Sequence, residues 1–263
     1  MEHLEGKQSV LAALRAYQRR FQVVLISQGA HAEKVQDVLD AAAERGVPVR
    51  RVDPRELDEM AHGSSHGGVL AVATPKLRTT PDQLMAQLDA LREPPLLLLL
   101  EGVDDARNLG FTLRSAEALG AHAVMIKKHL WDFDSVEVAR PASGAYERLT
   151  LVQIEGVEPL RALQKRGLHL YGCIAGAKRS IYEVDLAGPT ILAIGGEKRG
   201  LSGAVRNICD RFVTIPTVGG GASSLSLSHA GAIVMAEAMR QRGFATPQGE
   251  ASPDSAKALS LFE

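Results

Sequence analysis

The sequence predicts an α/β protein made of two consecutive units, a small one followed by a larger one built on a parallel sheet. Three observations carry this reading. Helix-like and strand-like apolar patterns alternate along most of the chain. Several strand candidates are continuous apolar runs, Leu96-Leu97-Leu98-Leu99-Leu100 above all, as in strands covered on both faces. The alternation is interrupted by a proline-rich stretch that opens Pro75-Lys76-Leu77-Arg78-Thr79-Thr80-Pro81 and ends Glu93-Pro94-Pro95.

Val10, Leu11, Leu14 and Tyr17 have helical spacing, residues 21–26 read as a strand, and Val35, Val38, Leu39 and Ala42 mark a helix that should stop near Gly46. Strands follow at 47–52 and 69–74. Between them lies the polar, flexible-looking loop His62-Gly63-Ser64-Ser65-His66-Gly67-Gly68. These elements form a first unit, residues 1–75. Residues 76–95 are expected to be a linker, with a short helix marked by Leu84, Leu88 and Leu91. Residues 96–243 form the larger unit. Its strand candidates are 96–100, 123–127, 149–154, 168–174, 190–194 and 211–215, and a long helix runs from about 224 to 242. The tail, 244–263, is rich in Ala, Ser, Pro and Gly and is expected to be disordered. No internal repeat is visible.

Composition narrows the function classes. Thirty Lys and Arg against 31 Asp and Glu give a net charge of −1, which excludes the diffuse basic character of a coating protein but not a local basic patch. No run approaches the ~18 apolar residues of a membrane span. The opening Met1-Glu2-His3-Leu4-Glu5 lacks the basic-then-apolar order of a secretory leader. Cys173 and Cys209 have no metal-ligand or disulfide-scaffold spacing, so a metal site is not expected and a reducing cytoplasm is.

Ligands on parallel sheets bind beyond the carboxyl ends of strands, so the segments after 100, 174, 194 and 215 are the places to search. The first continues Glu101-Gly102-Val103-Asp104-Asp105-Ala106-Arg107-Asn108-Leu109-Gly110, a polar loop feeding a helix that Asp104 or Asp105 would cap. Asn108 is expected on the loop and Arg114 a turn or two into the helix. The segment after 194 reads Gly195-Gly196-Glu197-Lys198-Arg199-Gly200-Leu201-Ser202. Leu201 stands where a phosphate-binding P-loop needs lysine, so that reading is rejected. Its adjacent glycines let backbone approach a ligand closely. The segment after 215 runs Pro216-Thr217-Val218-Gly219-Gly220-Gly221-Ala222-Ser223-Ser224-Leu225-Ser226-Leu227-Ser228-His229, a wrapping loop and a capped helix start. A single histidine is more often structural than catalytic, so His229 is given no role. Dinucleotide (GxGxxG) and zinc (HExxH) signatures are absent.

In this order and at these strand ends, the three segments resemble the three motifs of the SpoU (TrmH-like) RNA ribose methyltransferases. The matches are Asp105 through Arg114, Ile194 through Leu201, and Ile215-Pro216 with Ser224 through Ser228. The first unit resembles the small α/β RNA-binding domain that many members carry. With both parts matched, the chain is most similar to the bacterial members that methylate a ribose 2′-hydroxyl in large-subunit ribosomal RNA. Family members usually carry Pro where Ala106 stands and Asn where Ser226 stands.

The resemblance implies an α/β fold with a trefoil-knotted methyltransferase domain, S-adenosylmethionine held bent in the knot, no metal, and a homodimer whose site is completed across two subunits. The expected substrate is structured RNA, a 23S rRNA guanosine first. A tRNA ribose methyltransferase and a non-catalytic RNA-binding protein on the same scaffold are the alternatives. The reaction implied is in-line attack of the ribose 2′-oxygen on a sulfonium methyl. Arg114 is the family's favoured base. Because arginine stays protonated, it is equally open that Arg114 stabilises the developing alkoxide. On the same resemblance Asn108 orients Arg114 or the ribose, Glu197 anchors the arginine region, and Ser224 and Ser226 shape the cofactor turn. Groups near Ala175, Gly195, Gly196, Ile215 and Leu225 hold the cofactor's adenine and ribose. Arg140, Lys178 and Arg179 are candidate phosphate contacts.

Overall fold

The computed structural model describes residues 1–62, 66–127, 133–218 and 225–243. Its first sheet has four strands, β1 (Glu2–Glu5), β2 (Phe21–Ser27), β3 (Val49–Val52) and β4 (Val69–Ala73), in the order β1-β4-β2-β3. Only β2 and β3 are parallel. Side chains alternate across a strand. Val24 and Ile26 therefore face helices α1 (Lys7–Ala16) and α2 (Ala32–Glu44), whose Val10, Leu14, Val35 and Val38 complete that core. Leu25 and Leu70 face the other way, onto Leu57 of α3 (Pro54–Met60).

Neither β1 nor α3 is among the elements expected from sequence. The start of α3 is nonetheless well specified. Asp53 accepts a hydrogen bond from the Arg55 N–H, and Pro54 occupies the first turn, where its missing N–H costs nothing. Of the polar loop, 63–65 lie outside the described residues. Its flank is anchored: His66 is buried, binds the Asp58 carboxylate through Nε2 (2.9 Å) and accepts the Gly68 N–H at Nδ1 (3.1 Å).

The stretch expected to be a linker is packed along the edge of the second sheet. The Thr79 N–H reaches the Leu151 carbonyl at 3.0 Å. Thr80 and Gln83 form a reciprocal cap on α4 (Pro81–Asp89), and Leu84 of that helix is buried.

The second sheet holds β5 (Leu96–Glu101), β6 (Ala123–Lys127), β7 (Thr150–Ile154), β8 (His169–Cys173), β9 (Arg179–Ser180), β10 (Thr190–Gly195) and β11 (Arg211–Thr214). Its order is β7-β6-β5-β10-β8-β11-β9, and every pairing is parallel. The five leucines 96–100 are all buried and split by alternation. Leu96, Leu98 and Leu100 pack with α5 (Ala106–Ala118), α6 (Ser135–Ala142) and α10 (Leu227–Gln241). Leu97 and Leu99 pack with α4, α8 (Glu158–Lys165) and α9 (Gly203–Arg206). Fully burying a leucine contributes about 1.5–3 kcal/mol, so this run is a principal anchor of the sheet.

The chain runs outward through β5, β6 and β7, then returns with β8 on the far side of β10. The junction of β5 and β10 is thus where strand order reverses, the position at which such sheets bind ligands. There Glu101 is paired with Gly195.

The two sheets are joined through α7 (Ala145–Arg148) and buried charge. Arg19 donates from Nε and Nη2 to both oxygens of Glu147 (each 2.9 Å), and from Nη1 to Glu2 and the Thr74 carbonyl (both 2.8 Å). The side chains of Arg19 and Glu147 are 0% exposed. Lys76 donates to the carbonyls of Tyr146, Glu147 and Leu149. Glu5 accepts from Arg140 at 2.6 Å and from the His62 backbone N–H and ring at 2.7 Å. Burial works to raise the Glu5 carboxyl, but the hydrogen bonds from His62 and Arg140 outweigh it and hold it below the usual range. Arg140, expected as a phosphate contact, is therefore engaged with Glu5. The trefoil expected from the resemblance depends on the threading of the whole C-terminal chain, and 219–224 of that path, like 244–263, lie outside the described residues.

Candidate active site

The site is assembled at the carboxyl ends of β5 and β10. Glu101, the charge that ends the leucine run, is only 3% exposed. It is ion-paired with Lys127 of β6 and accepts the Ser202 N–H (2.8 Å) and hydroxyl (3.0 Å). This ties down the far end of the 196–202 loop. Within the loop the Gly200 N–H reaches the Gly196 carbonyl at 2.8 Å. A Cβ at Gly196 would lie 1.8 Å from the Gly102 oxygen, and one at Gly195 2.1 Å from the Gly200 carbonyl carbon. The adjacent glycines are required because three stretches of backbone touch here. Lys198 closes the outside of the loop on Asp104 at 2.8 Å, and this contact holds the Asp104 carboxyl below its ordinary range.

Asp105, not Asp104, caps α5, by accepting the Asn108 N–H at 2.8 Å. Asn108 accordingly sits in the first helical turn rather than on the preceding loop, because the cap starts the helix at Ala106. From there Asn108 Nδ2 donates to Glu197 Oε1 (3.4 Å), which also accepts the Leu227 N–H (3.4 Å). The Ser228 hydroxyl donates to Asn108 Oδ1 (3.3 Å). Ser226 caps α10, and its Oγ lies 3.0 Å from Ser228 Oγ and 2.6 Å from His229 Nδ1. One hydrogen-bonded chain therefore runs through all three motif segments.

Beside this chain is a cavity of about 350 Å³. Ala175, Gly195, Gly196, Ile215 and Leu225 all line it, with Glu197 at its wall. Its lining combines aliphatic side chains with strand-end and glycine backbone, the mixture that suits a nucleoside with an apolar ring and polar sugar edges. Cys173 also lines it. Burial pushes that thiol up to about 12, and burial raises Cys209 to about 11, so neither is a thiolate nucleophile at neutral pH.

Arg114 is not part of the chain. Six positions beyond Asn108 place it about 120° round α5 and about 9 Å along it. It is exposed and has no hydrogen-bond or ion-pair partner among the described residues. Ser224 lies outside the described residues. The structure thus brings Asn108, Glu197 and Ser226 together and leaves Arg114 apart in a single subunit.

Sequence reasoning missed Glu101, Lys127, Ser202, Ser228 and His229. A glutamate closing an otherwise apolar run was a usable signal for Glu101, since a buried carboxylate demands partners. Among the described residues no three side chains are grouped to hold a metal ion, and no helix is long and apolar enough to cross a membrane.

Residues 95–236 match the SpoU rRNA Methylase family, and residues 3–78 match the family described as RNA 2′-O ribose methyltransferase substrate binding. Among curated relatives, a Pseudomonas aeruginosa protein named 23S rRNA (guanosine-2′-O-)-methyltransferase RlmB is 36% identical, over 92% of this chain and 97% of its own. The protein of the same name from Salmonella typhimurium is 33% identical, over 92% of this chain and 99% of its own. Among solved structures, an RNA 2′-O ribose methyltransferase superposes with a TM-score of 0.74 at 28% identity, covering 91% of this chain and 88% of that one. The SpoU methyltransferase AviRb from Streptomyces viridochromogenes, in complex with the cofactor AdoMet, gives 0.75 at 25% identity, with 91% and 90% covered. A match through more than half of the chain, and relatives about a third identical along nearly all of it, place this protein in the SpoU rRNA methylase family.

Proposed function

We propose that this chain transfers a methyl group from S-adenosylmethionine to a ribose 2′-hydroxyl in structured RNA, with a guanosine of 23S rRNA, the substrate in its relatives' names, as target. The observation that supports this most is the meeting of the three motif segments at the strand-order reversal, beside a cavity of nucleoside size. Ala175, Ile215 and Leu225 would hold the adenosine, with the backbone of Gly195 and Gly196 approaching closely. The cofactor supplies a methyl group already activated on sulfonium. What remains for the protein is to orient the acceptor and manage its proton.

Asn108 and Glu197 form the polar wall that orients the ribose region. Arg114 acts as a fixed positive charge for the developing alkoxide. An exposed guanidinium suits that role better than a base, which would need a site that strips its proton. Arg114 shares the exposed stripe of α5 with Arg107 and Phe111, a phenylalanine left 49% exposed. That stripe is a fit surface for a second copy, so the reading includes a homodimer in which Arg114 completes its partner's site.

Lys178, Arg179 and Arg211 rim a groove of about 510 Å³ that shares Ile174 and Gly176 with the cavity. Among the described residues none of the three has a carboxylate within ion-pair distance. The groove would carry the RNA backbone to the site. A cytoplasmic location goes with a ribosomal RNA substrate. The test is methyl transfer by the purified protein to 23S rRNA from a strain lacking the enzyme, with the modified ribose mapped. Modification of tRNA, or of no RNA despite cofactor binding, would replace this reading with one of its alternatives. Sedimentation at micromolar concentration tests the dimer.

A further inference from the structure

We propose that His229 is a positioning residue of the methyl-transfer site, its imidazole held as the Nδ1–H tautomer by a one-directional chain of hydrogen bonds that ends on Glu197. The role in transfer rests on the function proposed above; the tautomer does not.

The direction follows from counting protons. An ionised glutamate only accepts, so Glu197 requires the amide nitrogen of Asn108 to face it at 3.4 Å. Asn108 Oδ1 then faces Ser228, whose single proton is spent on it at 3.3 Å. Ser228 Oγ can therefore only accept from Ser226, 3.0 Å away, and this spends the one proton of Ser226. At 2.6 Å from His229 Nδ1, Ser226 has only lone pairs left to offer, and it already accepts the His229 backbone N–H at 3.4 Å. The remaining proton must come from the imidazole. His229 Nδ1–H thus fixes the Ser226 hydroxyl, which orients Ser228, Asn108 and Glu197 in turn. In the opposite tautomer Ser226 would donate to His229, leaving the oxygens of Ser226 and Ser228 face to face with no proton between them.

Serine at 226 is short and carries one proton, so it needs the neighbouring imidazole to hold its direction. Asparagine there would present a carbonyl and two N–H donors on a longer stem, and would cap α10 equally well. His229 should therefore matter because residue 226 is serine.

Two measurements test this. Imidazole 15N shifts of the purified protein near pH 7.5 should show His229 protonated at Nδ1 and bare at Nε2. The reverse assignment overturns the proposal whether or not the protein methylates RNA. In single-turnover transfer, His229→Ala should lower the rate about three- to tenfold, the size of one net hydrogen bond, with cofactor affinity unchanged. His229→Asn, which keeps an N–H donor at the same reach, should regain most of that loss. In a Ser226→Asn background the further change His229→Ala should have no effect. Full activity of His229→Ala, or an equal loss in both backgrounds, overturns the positioning role. A wild type that transfers no methyl group to any RNA refutes the proposed function instead, and leaves the tautomer assignment standing on its own measurement.

Discussion

Two polar clusters flank the helices of the larger unit, and they are built on opposite terms. Where the two sheets meet, Arg19 and Glu147 are wholly buried and joined by two bonds of 2.9 Å, with Glu2 and a backbone carbonyl completing the arginine. At the ends of β5 and β10, the contacts of Asn108 with Glu197 and Ser228 are 3.3–3.4 Å and Arg114 has no partner among the described residues. The first cluster is satisfied by the protein alone. The second is tight at Ser226 and His229 but loosely tied around Asn108, and leaves capacity there for groups that this subunit does not supply. Losing a member of the first should therefore appear in stability, and losing a member of the second in binding or turnover.

The largest expected effect comes from removing the cation of the site that is unpartnered among the described residues. Arg114→Ala should lower the single-turnover rate by about 100-fold or more, the scale of removing one donor to a developing oxyanion. Cofactor affinity and unfolding midpoint should stay within error. Arg114→Lys with near-full activity would show that a point charge suffices and that guanidinium geometry is unimportant. The mirror-image change is Glu147→Ala, which leaves the buried Arg19 with only Glu2 and a carbonyl and should cost up to about 3–5 kcal/mol in chemical denaturation. Replacing both partners, Arg19→Met with Glu147→Leu, should recover much of that loss. A Glu147→Ala protein as stable as wild type but inactive would erase the distinction between the clusters.

A pH titration sharpens it. Burial pushes the Lys76 ammonium, which donates to three carbonyls, down to about 8 against the opposing pull of the Glu147 carboxylate. A lysine whose folded pKa is depressed holds fewer protons folded than unfolded between that value and its ordinary 10.5. Stability from this group therefore rises as pH increases from about 8 toward 10.5, by at most about 3 kcal/mol. Tyr146, pushed up to about 12 by burial, works the other way, but only above its ordinary 10. Denaturation midpoints between pH 7.5 and 9.5 should thus climb relative to Lys76→Met. Parallel curves for the two proteins would mean that the carbonyl cage cancels the cost of burial.

The same contrast explains what was legible in the sequence. Strands of the larger unit could be read nearly to the residue, as with 123–127, because a strand buried on both faces is a plain apolar run. β9 could not: Arg179-Ser180 carries no pattern, and its strand character comes from pairing with Val213 and Thr214 of β11. β1 was hidden for a related reason. Glu2 and Glu5 look like surface residues until Arg19, Arg140 and His62 are brought to them by the fold. α3 was readable from Asp53-Pro54 and was overlooked. In the site, strand-end position and motif resemblance pointed to Asn108, Glu197 and Ser226. Ser228 lies inside the third motif and His229 just past it, but neither carries a mark of a role, since their part depends on which atom holds each proton.

The smallest expected effect concerns the groove next to the cavity. If Lys178 and Arg179 each meet one phosphate, removing both should shallow the slope of log affinity against log salt by about 1.4, at about 0.7 per single-strand contact. Extrapolated lines for wild type and Lys178→Ala/Arg179→Ala should then converge near 1 M salt and stand roughly 10- to 30-fold apart at 0.1 M. Cofactor affinity should not change, because both side chains are exposed on the rim of the adjoining groove and do not line the cavity. This pattern separates a counterion-releasing contact from a structural one. A variant that merely disturbed β9 would weaken RNA binding equally at every salt concentration and would lower cofactor affinity through the shared Ile174 and Gly176. An unchanged salt slope would move the RNA path off this edge of the sheet and leave the two cations as solvated surface.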